Sequence, residues 1–149
     1  MENLNIRESI YDDIPLLLEL LYELERPKPQ NENEIESFTK LLKNYIDDDD
    51  KKILVAEIND SKIIGLISLV FLSRLNQKTL ELYVPELIVS QHYQNQGIGK
   101  KLLNSSIELG KEKKCYRIRL ESGNQRVESH KFYEHLGFEN SSMFFTKNL

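Results

Sequence analysis

Glu86-Leu87-Ile88-Val89, followed by the loop Gln94-Asn95-Gln96-Gly97-Ile98-Gly99, decides how this chain is read. Leu87-Ile88-Val89 is an apolar run that closes a strand expected over Leu80 to Val89. From Gly97 to Gly110 the period changes. Ile98, Leu102, Leu103 and Ile107 share one helical face, while Lys100, Lys101, Asn104 and Glu108 lie elsewhere. The two glycines therefore stand at the mouth of a helix, where backbone N–H groups have no intrahelical acceptor. Such a terminus attracts an anion, most naturally a phosphate.

Downstream, Tyr116, Ile118 and Leu120 alternate with Arg117, Arg119 and Glu121, the pattern of a strand with one apolar face. Strand, helix and strand in that order imply a right-handed parallel crossover. Val127, Phe132 and Leu136 mark a further helix with Gly137 as its C-terminal cap, and Met143 to Thr146 reads as a last strand. Upstream, Pro85 interrupts its strand and lacks a ladder donor, so a bulge is expected there. Ile53 to Ile58 and Ile63 to Leu72, joined by Asn59-Asp60-Ser61, read as an antiparallel hairpin.

The N-terminal part reads as a short strand, Leu4 to Arg7, then two helices. Asp12 and Asp13 offer caps to the first, Pro15 suits its first turn, and Pro27 and Pro29 stop it. The second is expected from Glu34 to Tyr45, with Ile35, Phe38, Leu41, Leu42 and Tyr45 as its apolar stripe. Asp47 to Asp50 reads as a solvated loop, because no glycine-punctuated spacing of oxygen ligands accompanies it.

Composition narrows the function classes. A chain of 149 residues, 40% apolar and 30% charged, suits a single domain over 1–149 with a real core. The net charge of −4 gives no general pull toward nucleic acid or anionic membrane. The lone Cys115 excludes an internal disulfide and a cysteine-rich zinc site, and no His-Glu-x-x-His pair offers another metal centre. No secretory leader is read, and no apolar run approaches the roughly 18 residues of a membrane span, so a cytoplasmic protein is expected.

The loop is not a nucleotide fingerprint. It lacks the third glycine of a dinucleotide loop and comes late in an α+β order, and no Gly-Lys-Ser or Gly-Lys-Thr ending follows. Gln94-Asn95-Gln96-Gly97-Ile98-Gly99 instead resembles the acyl-coenzyme A motif of the GCN5-related N-acetyltransferase (GNAT) superfamily. Glu86-Leu87-Ile88-Val89 looks like that family's fourth strand. His130-Lys131-Phe132-Tyr133-Glu134-His135-Leu136-Gly137-Phe138 resembles its second signature, and the element order fits nearly the whole chain.

The resemblance implies an α+β, three-layer α/β/α fold whose mixed, mostly antiparallel sheet splays between strands 4 and 5. It implies an N-acetyltransferase that moves an acetyl group from acetyl-coenzyme A to an amine by direct transfer, without a metal. The pyrophosphate would lie against the backbone of Gln96, Gly97, Ile98, Gly99 and Lys100, where a Cβ would obstruct close approach. Gln94 and Asn95 complete the loop, with Gln94 binding phosphate or bracing the turn. The pantetheine arm would take backbone bonds near Ile88 and Val89, and Asn124 matches a position that contacts the same arm. Tyr133 matches the residue that gives a hydrogen to the departing thiolate, and Glu86 one that relays the amine's proton or holds the amine, with Glu81 on the same strand as the lesser candidate.

His92, His130 and His135 have no paired spacing that calls for a metal or a nucleophile, and Cys115 has no evident histidine partner. For the acceptor, Glu23, Glu25, Glu32, Glu34 and Glu36 favour a cationic small-molecule amine. Arg117, Arg119 and Arg126 point instead to an anionic one, unless they serve ordinary salt bridges. A protein N-terminus, or coenzyme A binding without chemistry, are the other readings. A homodimer through an edge strand or the last strand is compatible with the sequence.

Overall fold

The hairpin expected around Asn59-Asp60-Ser61 forms the centre of the sheet. Asn59 and Asp60 both take left-handed φ, 55° and 59°, the turn that matches the twist of paired strands. It joins Lys51–Ile58 (β2) to Lys62–Leu72 (β3). Asn5–Glu8 (β1) pairs with β2, and Glu81–Val84 (β4) and Leu87–Val89 (β5) both pair antiparallel with β3. Arg117–Leu120 (β6) runs parallel beside β4. The order is β1-β2-β3-β4-β6, with β5 attached to β3 alone among the described residues. The molecule, a computed structural model, describes residues 3–122 and 126–149. It forms two compact units, Met1–Arg119 and Leu120–Leu149.

In the first unit the helices cover both faces of the sheet. Ile14–Glu23 (α1) and Glu32–Asp47 (α2) bury Leu17, Leu20 and Leu42 against Ile53, Val55, Leu66 and Ile88. On the opposite face Ile98–Glu112 (α3) buries Ile98, Leu102 and Leu103. A side chain at Gly65 would be crowded there. A Cβ on it would meet the Ile88 carbonyl at 3.1 Å and Leu102 Cδ1 at 3.2 Å. Full burial of each Leu or Ile is worth roughly 1.5–3 kcal/mol, so this core outweighs every surface ion pair in the molecule.

Helix ends depart from expectation in instructive ways. Asp13 does not cap α1. Its carboxylate receives both Arg7 Nη1 and Nη2, at 2.8 and 2.9 Å, and the Ile10 N–H at 2.8 Å. Asn31 caps α2 instead, accepting from the Glu34 N–H at 3.0 Å. On α2 the expected apolar stripe is too wide, because Ile35 and Leu41 are exposed while Leu42 is buried. α1 ends before the prolines: Glu25 takes φ 62°, its N–H bonds the Tyr22 carbonyl, and the Arg26 N–H bonds the Leu21 carbonyl. That is the Schellman closure, built on a glutamate rather than a glycine. α3 closes the same way through Lys114, φ 58°.

The second unit holds Val127–His135 (α4). Here the expected glycine closure is found: Gly137 has φ 91°, and its N–H and that of Phe138 bond the Glu134 and Tyr133 carbonyls. The strand expected over Met143 to Thr146 does not form. Met143, Phe144 and Phe145 are exposed, and the segment has no ladder partner among the described residues.

Candidate active site

The loop after β5 is shaped by two left-handed residues, Asn95 at φ 62° and Gly97 at φ 81°. Gly97 is the N-cap of α3, and no side chain caps that helix. The first bond across the helix start is Lys101 N–H to the Gly97 carbonyl at 3.1 Å. The N–H groups of Ile98, Gly99 and Lys100 therefore lie in the first turn, where no intrahelical acceptor exists. A Cβ built on Gly97 meets no protein atom within 4 Å, so the space beside this turn is open. Gln94, Asn95, Gln96, Gly97 and Lys100 are exposed, whereas Ile98 is buried and anchors the helix. Gln94 Nε2 donates to the Val89 carbonyl at 3.1 Å, so its side chain braces the loop against β5.

β5 has an open edge. The Ser68 N–H bonds the Glu86 carbonyl at 2.9 Å and the Ser90 N–H bonds the Ile64 carbonyl at 2.8 Å. Glu86 and Ser90 thus turn their backbone toward β3. By antiparallel alternation Ile88 does too, opposite Leu66, while Leu87 and Val89 turn theirs the other way. β6 lies beside β4 and not beside β5, so that second edge carries no strand among the described residues.

The cause is the bulge expected at Pro85. Between the pairs Val70↔Tyr83 and Ile67↔Leu87, β3 has two residues and the facing strand three. The extra residue bends the strand and turns Glu86 onto Ser68. Ser68 Oγ accepts the Glu86 N–H at 2.8 Å and donates to Glu86 Oε1. Arg26 Nη2 donates to Glu86 Oε2 at 2.8 Å. Tyr45 lies close by and donates to the Leu69 carbonyl at 3.2 Å. Burial, then the charge of Glu86, pushes its phenol up. Sequence reasoning found Glu86 but not Arg26 or Ser68. Arg26 is sixty positions away from its partner, and no local pattern marks either residue.

Tyr133 belongs to the second unit. Its ring stands edge-on to Phe132 and Phe138, with centroids 5.2 and 5.9 Å away. Burial pushes its phenol up, opposed in part by the charge of Arg126. Asn124 lies outside the described residues.

The remaining charged candidates resolve into structure. Arg117 Nε reaches the fully buried Glu81 at 2.8 Å, Arg119 Nε bonds its other oxygen, and the Tyr116 hydroxyl adds a bond at 3.0 Å. Burial raises that carboxyl, but these donors outweigh it and hold its pKa below the usual value. Cys115 has its thiol pushed up by burial, against the opposing charge of Lys113, the reverse of what a nucleophile needs. His92 and His135 are exposed. A cavity of about 380 Å³ beside Glu8, Asp47 and Lys113 contains none of the candidate residues. Among the described residues no His, Cys, Asp or Glu cluster has the makings of a metal site, and no helix is long and apolar enough to cross a membrane.

An uncapped helix after a bulged strand with a bare edge is a distinctive pairing. The family described as Acetyltransferase (GNAT) family matches residues 18–138. The chain belongs to that family. This GNAT protein is an N-acetyltransferase that uses acetyl-coenzyme A. A GNAT family acetyltransferase from Staphylococcus aureus is 26% identical, with 99% of each chain covered and a TM-score of 0.80. A glucosamine-6-phosphate N-acetyltransferase from Arabidopsis thaliana is 24% identical, again with 99% of each chain covered, TM-score 0.84. A transcriptional regulator from Bacillus halodurans shares the fold at 24% identity, covering 99% of this chain and 100% of its own, TM-score 0.86. In this GNAT sheet β4 and β5 together are the fourth strand and β6 the fifth, so the expected splay is the divergence of β6 from β5.

Proposed function

We propose that the protein acetylates the primary amine of a small molecule by direct transfer within a ternary complex. The observation that carries this reading is the uncapped N-terminus of α3 following β5, a strand that begins beside Glu86 and has no second partner strand among the described residues. The pyrophosphate of acetyl-coenzyme A meets the N–H groups of Gln96 to Lys100, with Gln94 and Asn95 holding the loop in shape. The pantetheine amides pair with the outward backbone of Leu87 and the Val89 N–H, the Val89 carbonyl already accepting from Gln94 Nε2, and Ile88 keeps those two residues in register by its bonds to β3. Asn124 contacts the same arm. Glu86 to Val89 spans about 10 Å of strand, which brings the thioester end to the bulge.

There the acceptor's ammonium meets the Glu86 carboxylate, whose two oxygens are oriented by Ser68 and Arg26. The ammonium passes one proton to solvent, directly or through Glu86, and the freed nitrogen attacks the thioester carbonyl. As the C–S bond breaks, Tyr133 donates its hydroxyl hydrogen to the leaving sulfur and is reprotonated by the proton that the nitrogen sheds on becoming an amide. A phenol pushed up by burial stays protonated at neutral pH and suits that donor role. The Arabidopsis relative, a glucosamine-6-phosphate N-acetyltransferase, supports a small-molecule acceptor.

Thiol release from acetyl-coenzyme A across a panel of small amines and peptide N-termini tests the reading. Turnover with small amines, and no acetyl group on the protein by mass spectrometry, is expected. Turnover confined to peptides, or an acetyl-enzyme that forms and decays at the turnover rate, overturns it. The pH–rate profile of Glu86→Gln tests its role. A raised acceptor KM with a preserved profile supports amine binding; loss of the acidic limb makes Glu86 the proton relay instead.

A further inference from the structure

We propose that the acceptor is a zwitterionic amine, bearing a carboxylate or phosphate near its ammonium, and that Arg26 is the residue that selects it. The inference rests on Glu86 meeting the ammonium, as proposed above. Arg26 Nη2 sits 2.8 Å from Glu86 Oε2, and the two side chains are 49% and 21% exposed. The pair is therefore reachable from solvent on the Arg26 side. Ser68 holds the other Glu86 oxygen, so the carboxylate does not swing away from the arginine. The backbone at Arg26 is fixed as well, by the Schellman bond of its N–H to the Leu21 carbonyl and by Pro27 immediately after it.

An incoming amine thus meets a carboxylate already neutralised by a guanidinium. A simple cation must share or contest Glu86 with the positive Arg26, and it offers that arginine nothing in return. A zwitterion exchanges one ion pair for two: ammonium to Glu86, anion to Arg26. Only one of the guanidinium's five N–H donors is used by Glu86, which leaves a planar fork suited to carboxylate or phosphate. Of the sequence's candidates for an anion, Arg117 and Arg119 are engaged by Glu81, and Arg126 acts by its charge on Tyr133.

The test uses matched acceptors: an amino acid against its amide, and an amino-sugar phosphate against the free amino sugar. Thiol release gives kcat/KM for each. The wild type is expected to favour the anionic member of at least one pair by about tenfold or more, the scale of one charge-assisted contact. A preference within the first pair assigns a carboxylate acceptor, and within the second a phosphate acceptor. Arg26→Gln should bring the ratio close to unity, and Arg26→Lys should restore part of it, which a merely structural arginine would not produce. No preference in either pair, or a ratio unmoved in Arg26→Gln, overturns the proposal. Glu86→Gln separates the two readings. A KM raised for both members of a pair leaves the amine at Glu86 even where the Arg26 ratio fails. A KM unmoved for every amine removes the amine from Glu86, and the Arg26 proposal with it.

Discussion

Replacing Gly97 by alanine separates what the loop does for folding from what it does for acetyl-coenzyme A. Gly97 has φ 81°, where an L side chain costs roughly 1–2 kcal/mol. Alanine also restricts the unfolded chain, which returns about 0.4–1 kcal/mol. The net loss is about 1 kcal/mol, or a Tm lower by roughly 2–4 °C for a chain of this size. No packing penalty adds to it, since the new Cβ meets no protein atom within 4 Å. The ligand side differs. The Cβ would stand in the open space beside N–H groups meant for phosphate, and each charge-assisted bond lost there is worth about 1.5–3 kcal/mol. Loss of one such bond weakens binding about tenfold or more.

Gly137 supplies the control. Its φ is 91° and its Cβ space is equally open, but it closes the C-terminus of α4, where the dipole repels anions. Gly137→Ala should lower Tm by a similar amount and leave the acetyl-coenzyme A Kd in place. Thermal melts read the first effect and titration calorimetry the second. Equal Kd for the two variants refutes the phosphate role of the α3 N-terminus, whatever their melting temperatures.

Three further outcomes are expected. Tyr133→Phe should lower turnover about 10²-fold with little change in acetyl-coenzyme A affinity; an unchanged single-turnover rate would remove Tyr133 from the chemistry. Glu81→Gln should cost about 2 kcal/mol, because Arg117, Arg119 and Tyr116 lose a charged acceptor but keep access to water; a denaturant midpoint equal to the wild type's would contradict this. The Glu81 carboxyl is held below its ordinary pKa, so its contribution is complete above the ordinary carboxylate range and fades as pH falls through the depressed value. The same variant should therefore lose part of the wild type's acid sensitivity. Glu25→Gly should raise stability by about 0.5–1 kcal/mol by relieving the left-handed glutamate that ends α1, as a denaturant melt would show.

The parts of the fold legible in the sequence are those with local causes. The Asn59-Asp60 turn, the apolar face of α3, the break at Pro85 and the Gly137 closure each follow from residue type at fixed spacing. Glu25 and Lys114 close α1 and α3 with the same geometry as Gly137, but neither residue type announces it. The width of the buried stripe on α2 was not legible either, since only the position of the sheet decides that Leu42 is covered and Leu41 is not. At the site, the loop and Glu86 stood out by spacing and resemblance. Their partners Arg26 and Ser68 did not, because an ion pair across sixty positions depends on the turn at Glu25 and the bulge at Pro85 together.

That bulge accounts for more of the site than any single side chain. With one residue removed from Val84 to Glu86, β4 and β5 would share one register on β3 and continue as one strand. β6, parallel to β4, would then have a straight neighbour to follow, and the outward backbone of Leu87 and Val89 would be available for ladder bonds. Were the register of β4 kept past Pro85 in the intact chain, Glu86 would face Ile67 instead of Ser68, and its side chain would lie on the opposite face. One inserted residue thus keeps an edge unpaired and points a carboxylate at Ser68 and Arg26. Both follow from Pro85, which has no N–H to give to a regular ladder, and so the open edge and the carboxylate beside it share one backbone cause.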